Sequence, residues 1–76
     1  MSFDYSKLLG RIIEKYGSQQ NFAKAIGLSE KILSERLNSK AFWKQKDIDK
    51  AVELLDIDRE KIGLYFFNKK VQNIWT

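Results

Sequence analysis

Gly27 stands between two short apolar-periodic runs, FAKAI before it and LSEKILSERL after it, in a chain with only four glycines. Inside a helix a glycine costs about 1 kcal/mol relative to alanine, so this placement reads as a corner. As the C-terminal cap of one helix, the residue takes a positive φ that glycine adopts without a Cβ penalty. Ala23 is small enough to let the helices on either side approach closely, Leu28 drops into the core, and Ser29 caps a second helix that leaves at a steep angle. Two short helices joined in this way form a helix-turn-helix, here over about residues 18–38.

The remaining elements follow from apolar spacing. Tyr5, Leu8, Leu9, Ile12, Ile13 and Tyr16 mark one face of an amphipathic first helix, which Gly17 terminates. Ser18 caps a second helix with Phe22, Ala23 and Ile26 on its inner face, and Ile32, Leu33 and Leu37 line a third. A polar linker and the pair Phe42 and Trp43 then precede a fourth helix carrying Ile48, Ala51, Val52 and Leu55. The start of this helix holds Lys44 at the cap position, while Asp47 in the first turn complements the dipole. Asp58 is expected to cap a fifth helix with Ile62, Tyr65 and Phe66. The terminal KKVQNIWT reads as an edge strand, a docked extension or a tail. The expected fold is all-α, a bundle of about five short helices in one domain spanning residues 1–76.

Composition removes several function classes. The chain has no cysteine and no histidine, so disulfides, thiolate metal sites and the usual general base are absent, and no nucleophile-plus-base constellation is visible. Neither an enzyme, a metal site, a cofactor nor a small-molecule ligand is expected. The longest apolar run, Leu64 to Phe67, falls far short of the roughly 20 residues of a membrane span, and no charged-then-apolar leader opens the chain. An intracellular, cytoplasmic protein is expected.

Charge is segregated along the chain. From residue 1 to 46 nine Lys/Arg face four Asp/Glu; from 47 to 68 three face six; Lys69 and Lys70 follow. A basic half joined to an acidic stretch suggests one surface turned to a polyanion and another turned to water or a partner.

The stretch SQQNFAKAIGLSEKILSERLN resembles the helix-turn-helix of small phage and prophage regulators of the lambda-repressor and Cro-like class. The likeness is specific at FAKAIGLS and LSERLN, covers about residues 3–74, and loosens beyond Phe67. It implies a sequence-specific regulator of transcription in a bacterial host, dimeric on operator half-sites, with double-stranded DNA as partner and the third helix in the major groove. Three departures stand out. Ser39 replaces a frequent glycine, Arg36 occupies an often apolar position with Leu37 taking the packing role, and Glu30 and Glu35 replace uncharged side chains.

With Leu33 and Leu37 inward, Lys31, Glu35 and Asn38 point outward and Ser34 lies on the flank. Glu30, Lys31, Ser34 and Glu35 are therefore the candidate base-reading residues. A lysine can donate to guanine O6 and N7, and a glutamate can accept from cytosine N4. Glu30 also has a dipole role open to it, Glu35 a pairing with Lys31, and Ile32 either a thymine methyl or partial burial. Gln19 and Gln20 open helix two, where an anion is favoured, and Asn38, Ser39, Lys40 and Lys44 follow helix three; these six are the candidate phosphate contacts. Phe42, Trp43, Phe66, Phe67 and Trp75 exceed what a small core can hide, so an apolar remainder near the last helix and residues 68–76 points to homodimerisation. Two other binding classes compete: an antirepressor-like module that keeps the helix-turn-helix as a scaffold for a protein partner, and an RNA-binding domain, which would need Phe42 and Trp43 exposed for stacking where packing is expected.

Overall fold

Ser18 and Ser29 each accept a backbone N–H three residues ahead, from Asn21 and Ile32, both at 3.1 Å. These caps start the second and third helices in the computed structural model, which describes residues 3–69. The order is α1 (Ser6–Tyr16), α2 (Gln19–Ile26), α3 (Glu30–Leu37), α4 (Gln45–Leu54), a 3₁₀ turn (Arg59–Lys61) and α5 (Ile62–Phe66). Among the described residues there is no strand; a single antiparallel bridge joins Phe3 to Lys69. The fold is all-α. Residues 70–76, and with them most of KKVQNIWT and Trp75, lie outside the described part.

Three helix ends share one solution. After α2, α3 and α4 the chain passes through a left-handed residue, Gly27 (φ 81°), Ser39 (φ 61°) and Asp56 (φ 52°). The next N–H then turns back to the carbonyl five residues earlier: Leu28 to Ala23 at 3.0 Å, Lys40 to Glu35 at 2.8 Å, and Ile57 to Val52 at 3.0 Å. Only the first of these corners uses glycine. At Ser39 the hydroxyl accepts from Phe3 N–H at 3.1 Å and donates to Phe3 C=O at 3.0 Å, and at Asp56 the carboxylate accepts from Lys15 at 2.6 Å. A left-handed L-residue costs roughly 1–2 kcal/mol, although a short polar side chain such as Asp is better tolerated there. The two bonds to Phe3 offset the cost at Ser39, while the exposed Lys15–Asp56 pair adds little.

Leu8 and Ile12 of α1, Phe22 of α2, Leu33 of α3, Leu55 at the end of α4 and Phe66 of α5 are fully buried. Each such side chain contributes on the order of 1.5–3 kcal/mol. α2 touches α1, α3 and α4, and α5 closes over α1. From its other face α1 reaches across to the end of α4, where Arg11 Nε donates to Leu55 C=O at 2.8 Å.

Four expectations need correction. Ile13 is exposed although it continues the α1 stripe, because the stripe is wider than the face that α2 and α5 cover. Asp58 makes no side-chain cap bond and opens the 3₁₀ turn instead of α5. Phe42 does not pack: it is 88% exposed, while Trp43 alone turns inward, edge-on to Phe66 at 5.1 Å. Finally, Leu37 is only half-buried and Arg36 takes the inward position beside it.

Candidate interaction face of the helix-turn-helix

α3 is presented by the turn and held from below. Ser29 fixes its first turn, Leu33 anchors it in the core, and Arg36 donates to Asp47 at 2.5 Å in a buried ion pair. The Arg36 guanidinium also lies 5.8 Å from the centre of the Trp43 ring, a separation at which the ring face attracts a cation. α3 is therefore tied to the start of α4, and its remaining side chains project from a fixed platform.

Of the candidate base-reading residues, Glu30 and Lys31 are exposed, and Ser34 and Glu35 are half-exposed. Ile32 is 40% exposed, so the outward surface carries an aliphatic side chain among its charges. The Lys31–Glu35 pair does not form among the described residues, consistent with the less favourable order of the two charges along the helix. Both charges are left to solvent.

The six candidate phosphate contacts do not form one group. Gln19, Asn38 and Ser39 surround a small hollow at the start of α1, together with Phe3, Ser6 and Leu9. In that hollow Asn38 Nδ2 donates to Ser34 C=O at 2.8 Å and the Ser39 hydroxyl is committed to Phe3. Gln20 and Lys40 are exposed outside it, and Lys44 belongs to a different hollow.

That second hollow, of about 490 Å³, lies between the turn, α3 and the start of α4. It is lined by Ile26, Gly27, Leu28 and Ile32 together with Lys44, Lys46 and Lys50, and by Arg36 and Asp47. Lys46 and Lys50 were not among the sequence candidates. Their spacing of four residues on α4 is the sequence signal for them, and neither the apolar stripe, the Lys44 cap position nor Asp47 in the first turn draws on it. The Arg36–Asp47 pair was missed for another reason: eleven residues separate the two, and nothing local marks either as buried.

A protein-family model described as "Protein of unknown function (DUF739)" matches residues 1–69. The chain belongs to the DUF739 family. No curated protein matches it. Among solved structures, this DUF739 member is similar to the modulator of repression (MOR) of the temperate bacteriophage TP901-1 from Lactococcus lactis, known from its solution structure. The two are 54% identical, the match covers 95% of this chain and 97% of the other, and the TM-score is 0.78.

Proposed function

We propose that the chain is a phage modulator of repression that acts by binding a protein, the repressor, through the outward side of α3. The reading is carried by the composition of that side, in a chain 54% identical to a modulator of repression. Glu30 and Glu35 outnumber Lys31, and Ile32 stands exposed beside them. A phosphate-lined groove repels the carboxylates, whereas a protein surface can pair them and cover the isoleucine. The test is calorimetric titration of the chain with the purified repressor of the phage that carries it, and with a random duplex, across a series of salt concentrations. Binding to the repressor with little duplex binding is the expected result. Salt-steep duplex binding without repressor binding overturns the reading.

A second reading is favoured by the exposure of Lys31, Lys40 and Lys44 along and beyond α3. In it the chain is a sequence-specific DNA-binding regulator with α3 in the major groove. It binds operator half-sites as a homodimer joined through the region after Asp58, where Leu64 and Phe67 are exposed. Here Lys31→Ala costs about 1–3 kcal/mol on the preferred site and relaxes discrimination, while Lys40→Ala weakens all duplexes alike. Equal losses for Lys31→Ala on specific and random duplex sink this reading. Sedimentation of Phe67→Ser against the parent chain tests the dimer.

A further inference from the structure

The hollow beside α3 is lined by two kinds of side chain. Ile26 is buried, Leu28 half-buried and Ile32 exposed, so aliphatic groups form part of its lining. Lys44, Lys46 and Lys50, which also line it, are all exposed, and among the described residues none of them is ion-paired. Asp47, the only carboxylate lining the hollow among the described residues, is spent on Arg36. Arg36 adds a buried Nε–H that has no acceptor among the described residues. The Lys50 ammonium stands at the Gly27 corner, 3.6 Å from where a Cβ of residue 27 would lie.

We infer that this hollow seats an acidic amphipathic segment of the protein partner, with an apolar side chain on Leu28 and Ile32 and carboxylates against Lys44, Lys46 and Lys50. The inference rests on the proposed reading that the partner is a protein. Charge complementarity selects an acidic ligand. The presence of Leu28 and exposed Ile32 in the lining selects a polypeptide over a nucleic-acid backbone, because a phosphodiester chain brings no apolar group to cover Ile32, whereas an amphipathic helix presents apolar and acidic residues three and four positions apart. The long lysine stems also cover apolar surface while their ammonium groups reach the carboxylates.

The experiment compares repressor binding by the parent chain, by Lys46→Glu/Lys50→Glu, by Ile32→Ser, and by Lys7→Glu/Lys61→Glu, whose charges lie away from the hollow. Each is first checked for an unchanged circular dichroism spectrum and thermal midpoint. Reversal at 46 and 50 is expected to weaken repressor binding about tenfold or more with a flatter salt dependence. Ile32→Ser is expected to weaken it about fivefold or more with the salt slope kept, and the control pair to stay near the parent. If the parent binds the repressor and the 46/50 variant binds equally well, the hollow is not the seat, although the proposed function stands. If the parent does not bind the repressor, the functional reading fails and the inference with it. If the 46/50 variant loses only duplex affinity, the rim is a phosphate surface and the inference is wrong.

Discussion

The Arg36 guanidinium and the Asp47 carboxylate meet at 2.5 Å inside the protein and tie the end of α3 to the first turn of α4. The linker between these helices carries the most exposed large hydrophobic residue described, Phe42. The pair, with Trp43 beside the guanidinium, therefore links α3 to α4 directly across a connection whose Phe42 does not pack.

Removing one member leaves a buried charge without its partner. Asp47→Ala is expected to cost about 3–5 kcal/mol, while Arg36→Met/Asp47→Leu recovers most of that loss because two uncharged side chains need no partner. Chemical denaturation of the three proteins measures both values. A single variant that loses less than about 1 kcal/mol shows the pair to be solvated and unimportant to the fold.

Gly27→Val is expected to destabilise the domain by more than about 1 kcal/mol, because a β-branched residue does not tolerate the left-handed conformation that the corner takes at φ 81°. The thermal midpoint reports it. An unchanged midpoint would mean that the chain makes this turn without a left-handed residue.

Ser39 separates two effects at one position. Ser39→Ala gives up both bonds to Phe3 and is expected to cost about 1–3 kcal/mol. Ser39→Gly gives up the same bonds but relieves the left-handed strain, so it should be the more stable of the two by about 1 kcal/mol. Equal stabilities of the two variants would contradict the account of this helix end.

The Asp56 carboxyl lies below its ordinary value of 3.8, first because Lys15 donates a hydrogen bond to it and then through the lysine charge. A carboxyl with a lowered folded pKa contributes stability above its unfolded pKa, and that contribution disappears as pH falls through the folded value. The midpoint difference between the parent and Lys15→Met should therefore be full near about pH 6 and shrink progressively below about pH 4. A difference that persists unchanged at lower pH would assign the effect of Lys15 to something other than Asp56.

What the sequence determined by itself was local. Ser18, Gly27 and Ser29 act on backbone groups within a few residues of themselves, and the apolar spacing of Leu8, Ile12, Phe22, Ile26 and Leu33 reports which helix face turns inward wherever the core lies. The two caps and the left-handed corner are therefore legible in order along the chain, and the outward direction of Lys31 follows from the anchoring of Leu33. The tertiary structure decided what depends on residues distant in sequence. Ser39 can stand at a left-handed helix end because Phe3, distant in sequence, exchanges two hydrogen bonds with its hydroxyl. Arg36 could be buried only because α4 brings Asp47 to it, an arrangement the helical spacing of α3 alone would have assigned to Leu37. Lys44, Lys46 and Lys50 line one hollow with Leu28 and Ile32 for the same reason: α3 and α4 both pack on α2, and that packing, with no spacing within either helix, brings them together.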